Sequence, residues 1–373
     1  MAGATAFKCI ALLLQGGGAL GAYQAGVYEA LSDAGLQPNW IAGISIGAIN
    51  SGIIAGNPPE KRVERLREFW EQVTDNAFTS WLGSIPLMRG DFVHALFNQT
   101  SALTSLIAGA PGFFTNRFPN PWLQPPGTIE ATSYCDTGAL KGTLERLIDF
   151  DRINSGEMRF SVGAVNVETG NFAYFDTRTD TIRPEHIMAS GAIPPGFPAI
   201  EIDGARYWDG GLISNTPLQW VLEDGPKEDT LAFQVDLWSA RGNFPQTMAE
   251  VAVRQKDIQY SSRTRENTDH FKQLQKLRHA LSKILPQIPA ELRDSAEYRL
   301  LDKATDHSIY NIVHLIYRAK EYEGDSRDYE FSRLTMEEHW KAGYNDAVHT
   351  LKHPEILRRP EGAEGVFTFD FTQ

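Results

Sequence analysis

Residues 7–47 read FKCIALLLQGGGALGAYQAGVYEALSDAGLQPNWIAGISIG. Phe7 to Leu14 form a short, almost continuously apolar run, as a strand buried on both faces requires. Gly16-Gly17-Gly18 follows at once, and Ala19 to Leu31 then has helical composition, ending near Gly35. A second apolar segment, Trp40 to Ile44, leads into Gly43-Ile44-Ser45-Ile46-Gly47. The helix expected next carries Gly47, Ser51 and Ala55 at i, i+4 spacing, a small-residue face that lets a helix approach a sheet closely. Strand, turn and helix twice in succession predict a parallel, doubly wound α/β start.

Both glycine-bearing turns carry chemistry. Gly16-Gly17-Gly18-Ala19-Leu20-Gly21 lies between a strand and a helix, where the backbone turns sharply and a helix N-terminus supplies unpaired N–H donors. Such a loop can hold a phosphate or stabilise an oxyanion. Gly16, Gly18 and Gly21 also satisfy G-x-G-x-x-G, but a dinucleotide site needs an acid about 20 positions on for the ribose. Trp40, Ile41, Ala42 and Gly43 stand there, and no Asp or Glu lies between Asp33 and Glu60. A nucleotide-dependent oxidoreductase is therefore disfavoured.

Gly43 to Gly47 is a G-x-S-x-G sequence, whose flanking glycines relieve crowding at a tight turn that pushes a serine hydroxyl outward. The bland alternative is a turn with a buried, back-bonded serine. An ordinary α/β-hydrolase would place this serine after several strands, with its acid and histidine later in the chain. Ser45 follows only the second expected strand. His314, within IYNIVHLIY, reads as packed in a helix, and His186 is the least implausible catalytic histidine. In Tyr207-Trp208-Asp209-Gly210-Gly211, an Asp closes an apolar strand end before two glycines. It is either a tight-turn residue or a general base contacting the serine directly, without an imidazole.

Composition bounds the rest. The chain has 373 residues, 42% hydrophobic and 22% charged, enough for one large domain with an appendage or for two domains. A net charge of −12 argues against a nucleic-acid partner held by bulk electrostatics and against a polybasic membrane clamp. Cys9 and Cys135 are too few for a disulfide framework or a structural zinc site, so a reducing compartment fits. The apolar run Ile10 to Leu14 does not read as an export signal. The uncharged stretch from Ala34 to Pro59 is broken by Pro38, Asn39, Asn50 and glycines, unlike a membrane span. A cytoplasmic protein is expected, with peripheral membrane contact left open.

Further along, residues 61–73 read as an amphipathic helix, and Phe160–Val167, Phe172–Phe175 and Leu231–Leu237 as strands. Residues 78–127 hold eight Phe or Trp residues and only Arg89, Asp91 and Arg117 as charges. They form either a loop-rich insertion packed on its own aromatics or a lid over a greasy site. Residues 248–318, rich in Arg, Lys, Glu, Gln and Leu, read as helical with a solvated face.

Taken together, GGGALG at 16–21, GISIG at 43–47, ASGAIPPGFP at 189–198 and DGGLISNTP at 209–217 resemble the patatin-like phospholipases, serine lipid acyl hydrolases with a Ser–Asp dyad. The resemblance covers roughly residues 8 to 240. It implies a three-layer α/β/α hydrolase core with a mostly parallel central sheet. Ser45 would be the nucleophile, Asp209 its base, and the amides of Gly16, Gly17 and Gly18 the oxyanion hole. No metal or organic cofactor is implied. One departure is Leu20, where the family commonly has Arg or Lys within the glycine-rich loop. The segments SRTRENTDHF and YEFSRLTMEEHWKAGYNDA resemble a helical extension found on a bacterial subgroup. The expected organisation is a hydrolase domain over 1–245, with 78–127 as insertion or lid, and a mostly helical extension over 246–373. The expected reaction is cleavage of a carboxylic ester in a phospholipid or related lipid through an acyl-enzyme. The rival is a membrane-associated interaction protein with a degenerate hydrolase core. Oligomeric state is not legible.

Overall fold

The computed structural model describes residues 6–75, 101, 108–223, 227–261, 264–319, 323–324, 326–360 and 365–372. The apolar run at the start becomes strand β1, Cys9–Leu14, and the second becomes β2, Trp40–Gly43. They pair in parallel, with Leu14 opposite Gly43, so the glycine loop and the serine turn leave the C-terminal ends of adjacent strands side by side. β1 is followed by a short 3-10 turn, Gly18–Gly21, and helix α1, Ala22–Asp33; β2 is followed by helix α2, Ile46–Ala55.

The remaining strands are β3 (Thr115–Asn116), β4 (Cys135–Asp136), β5 (Arg159–Asn166), β6 (Phe172–Asp176), β7 (Ile200–Ile202), β8 (Ala205–Asp209), β9 (Thr230–Asp236), β10 (Tyr310–Ile316) and β11 (Val366–Asp370). β3 and β4 form a separate two-stranded ribbon. The central sheet has the order β11-β10-β9-β1-β2-β5-β8-β7, with β6 also paired to β5. From β11 to β5 every pairing is parallel; β6 and β8 run antiparallel to β5, and β7 antiparallel to β8. This is the expected mostly parallel sheet with helices on both faces.

Alternation along β1 builds the three layers. Leu12 and Leu14 join Ile41 and the apolar faces of α1 and α2 in the larger core. Cys9, Ala11 and Leu13 join Trp40, Ala42, Leu218 and Phe271 in the smaller core on the opposite face. Leu12, Leu13 and Leu14 are fully buried, each worth about 1.5–3 kcal/mol relative to exposure.

Helix α3, Arg62–Val73, occupies the predicted amphipathic segment and buries Leu66, Phe69, Trp70 and Val73. Of the aromatic segment 78–127, residues 78–100 and 102–107 lie outside the described residues. The C-terminal part supplies helices Met248–Tyr260, Thr264–Ile284, Ala296–Ala304 and Arg333–Thr350. It also supplies β10 and β11 to the same sheet. His314 therefore sits in a strand rather than the expected helix. Tyr310 to Leu315 are all buried, and a run buried on both faces gives no alternation to separate strand from helix. Helix Arg333–Thr350 packs along α1, with Tyr23 OH donating to Asp346 Oδ2 at 2.8 Å and Tyr344 OH to Asp33 Oδ2 at 3.0 Å.

Candidate active site

Ser45 stands between β2 and α2 at φ 57°, ψ −125°, a conformation that costs a non-glycine residue about 1–3 kcal/mol. Its neighbours hold it there. A Cβ on Gly47 would lie 2.2 Å from the Leu14 carbonyl oxygen, and one on Gly43 would lie 2.3 Å from the Gly47 carbonyl oxygen. Both glycines of G-x-S-x-G are thus required by close backbone approach. The Ser45 N–H donates to Ser190 Oγ at 3.0 Å, and Ser190 Oγ–H donates to the Gly163 carbonyl at 2.6 Å.

Asp209 ends β8, opposite Ala164 of β5, and its own N–H donates to the Ala192 carbonyl at 3.0 Å. The side chain is buried. The Gly211 N–H donates to its Oδ1 at 2.7 Å, and the Ser45 hydroxyl lies near enough to favour the ionised carboxyl. Burial pushes the Asp209 carboxyl up to about 7; the Gly211 bond and the nearby Ser45 hydroxyl pull it down only in part. The fold thus brings together two residues far apart in sequence.

The glycine loop lies beside them. Gly16 gives its N–H to the Asn215 carbonyl at 3.2 Å, and its own carbonyl accepts from Asn215 Nδ2 and Trp238 Nε1, each at 2.9 Å. Gly16 is therefore fixed in place with its donor already used. The N–H groups of Gly17 and Gly18 have no protein acceptor among the described residues. Gly18 adopts φ 55°, and a Cβ there would lie 2.0 Å from the Asp328 carbonyl oxygen. The expected set of three loop donors narrows to two.

Gly16, Gly17, Gly18, Ser45 and Asp209 all line one cavity of about 270 Å³. Its remaining wall is mainly apolar, with Ile46, Ile49, Phe113, Phe114, Phe197 and Phe331 among the contributors. Neither singled-out histidine lines it. His186 accepts the Arg183 N–H at its Nδ1 and packs edge-on against Phe175. His314 stands 3.9 Å from Asp236 in a different cavity. Among the described residues, no group of three or more His, Cys, Asp or Glu side chains could hold a metal ion. None of the described helices is long and apolar enough to cross a membrane.

Sequence reading gave no role to Ser190, Asn215, Trp238, Tyr260 or Asp328. Ser190 and Asn215 lie within quoted motif segments, so their positions carried a signal that no local pattern could interpret. Trp238, Tyr260 and Asp328 reach the loop only through the tertiary fold.

No curated protein matches the chain in sequence. Among solved structures, it is similar to VipD from Legionella pneumophila, at 15% identity and a TM-score of 0.39, over 93% of this chain and 67% of that one. It is also similar to ExoU of Pseudomonas aeruginosa, solved with SpcU, at 14% identity and a TM-score of 0.24 over 78% of this chain. The match spans 60% of the ExoU chain. A family model described as patatin phospholipase matches residues 258–363, on the C-terminal side. With the serine turn, the buried aspartate and the glycine loop converging on one apolar cavity, the match of residues 12–221, more than half the chain, makes this protein a member of the patatin-like phospholipase family.

Proposed function

We propose that the protein is a serine lipid acyl hydrolase that cleaves carboxylic esters of phospholipids or related lipids. The observation that carries this reading is the convergence of Ser45, at its strained turn, and the buried Asp209 carboxyl on the wall of one mainly apolar cavity. In this mechanism, Asp209 takes the hydroxyl proton as Ser45 Oγ bonds to the acyl carbon, and the carbonyl π electrons move onto oxygen. The Gly17 and Gly18 N–H groups stabilise that oxyanion. Collapse of the intermediate expels the alcohol, which takes the proton from Asp209. Water, deprotonated by the same carboxylate, then attacks the acyl-enzyme and releases the fatty acid and Ser45.

The cavity composition supports an acyl chain as the group bound, because an apolar wall offers it an environment like its own. Peripheral contact with a membrane belongs to the same reading. Phe118, Trp122 and Leu123 are 97%, 85% and 78% exposed. Trp122 Nε1 donates to Tyr134 OH at 3.3 Å, and the next residue, Cys135, lines the cavity. Exposed aromatics beside an acyl site suit a lipid–water interface.

The test is hydrolysis of a panel of lipid esters by purified wild type, Ser45→Ala and Asp209→Asn, with the acyl-enzyme trapped and weighed. Release of fatty acid by wild type alone supports the reading. Equal release by either variant contradicts the dyad.

A further inference from the structure

We propose that the C-terminal region completes the catalytic site, and that Arg327 is a positioning residue for the glycine loop. The inference rests on the proposed hydrolase reading, in which that loop binds the oxyanion. The Asp328 carbonyl accepts the Ala19 N–H at 2.8 Å and lies where a side chain on Gly18 would otherwise sit. A backbone group from the C-terminal region thus sets the direction of the turn that presents the Gly18 N–H.

Two charged contacts fix that carbonyl, and both return to helix Met248–Tyr260. Arg327 pairs with Asp257 in a site where the side chains are 6% and 15% exposed. Its guanidinium also lies 4.8 Å from the Trp238 ring centroid, and the Trp238 indole N–H holds the Gly16 carbonyl. Lys256 Nζ stands 3.0 Å from Asp328 Oδ1 and 5.1 Å from the Tyr329 ring centroid. One turn further, the Tyr260 carbonyl accepts from Gln15 Nε2 and Asn215 Nδ2, each at 3.0 Å. The loop is therefore gripped at both ends by one helix and one segment, 326–331. Tyr329 and Phe331 of that segment also form cavity wall.

A clamp of this kind matters more to the transition state than to substrate binding. Misplacing a preorganised group by about 1 Å can cost about 10²-fold in rate, and an oxyanion donor is worth about 10²–10³-fold. Among the described residues Arg327 pairs with Asp257 and lies over Trp238 rather than against Ser45 or Asp209, so its effect runs through Trp238 and Asp328.

The experiment compares wild type, Arg327→Met, Arg327→Lys and Lys256→Met. It measures kcat and KM on soluble p-nitrophenyl butyrate, the rate of fluorophosphonate labelling, and Tm. Arg327→Met is expected to lower kcat and the labelling rate about 10²-fold with KM changed less than about threefold. Arg327→Lys recovers part of the loss, and Lys256→Met, a more exposed contact, lowers kcat by about three- to tenfold at unaltered Tm. Should Arg327→Met fail to fold, the other two variants decide. An active, labelled wild type whose folded variants keep kcat within about twofold overturns the clamp alone. A wild type that neither labels nor turns over overturns the hydrolase reading and the clamp with it.

Discussion

Ser190 Oγ stands between Ser45 and β5, accepting the Ser45 N–H at 3.0 Å and donating its own proton to the Gly163 carbonyl at 2.6 Å. That single hydroxyl satisfies two backbone groups, one part-buried and one buried, at the strained turn that holds Ser45. Replacing Ser190 by Ala leaves both without a partner, at a cost of about 1–3 kcal/mol. The expected outcome is lower stability by denaturant titration, with a fall in kcat on a soluble ester. Wild-type stability in Ser190→Ala would mean that the turn is held by its glycines and sheet contacts alone.

In the proposed mechanism Asp209, as the base, sets the pH dependence. Its carboxyl titrates near 7 in the folded protein against 3.8 for an ordinary aspartate. As a base it works only when ionised, so kcat/KM should fall about tenfold per pH unit below 7. Stability runs the other way. Between 3.8 and about 7 the folded chain keeps a proton that the unfolded chain has lost, so stability drops as pH rises through this window. Asp209→Asn removes the buried charge and should melt above wild type at pH 8, by an amount on the order of a few kcal/mol in stability. At pH 4 the two should differ little. A lower Tm for the variant at pH 8 would contradict the sign.

At Gly17 a Cβ would meet Leu237 Cδ1 at 2.7 Å and Trp238 Nε1 at 3.1 Å. Gly17→Ala should shift the loop away from that wall and cost about 10²–10³ in kcat if its N–H faces the oxyanion. Steady-state kinetics with KM recorded separately will check this. A kcat near wild type would remove Gly17 from the donor set.

Interfacial contact predicts a separable defect. Serine at Phe118, Trp122 and Leu123 should reduce co-sedimentation with phosphatidylcholine vesicles by tenfold or more, since burying one such side chain is worth about 1.5–3 kcal/mol. Turnover of soluble p-nitrophenyl butyrate should stay at the wild-type level. With a net charge of −12, the chain has no bulk attraction to anionic lipid, so moderate salt should leave the wild-type partition unchanged. Equal vesicle binding by the triple variant would place the contact elsewhere.

The part of the site that could be read in advance is the part built by neighbours in sequence. β1 with its glycine loop, and β2 with the Ser45 turn, each announce themselves within a few residues, because an apolar strand must be followed by a turn that only glycine fits. Asp209 was readable as a turn residue at a strand end. The partners of the loop were not. Trp238 and Asp328 reach Gly16 and Ala19 across most of the chain, and no periodicity records such a contact. His314 misled for a related reason: the surrounding run is buried on both faces of the sheet, so it shows no alternation to mark it as a strand.

The most direct measurement is fluorophosphonate labelling of the purified protein, read by intact mass and peptide mapping with Ser45→Ala alongside. One stoichiometric adduct on Ser45, absent from the variant and slowed below pH 7, is the predicted result. Labelling at another serine, or no adduct under conditions that label a control hydrolase, would contradict Ser45 as an activated nucleophile.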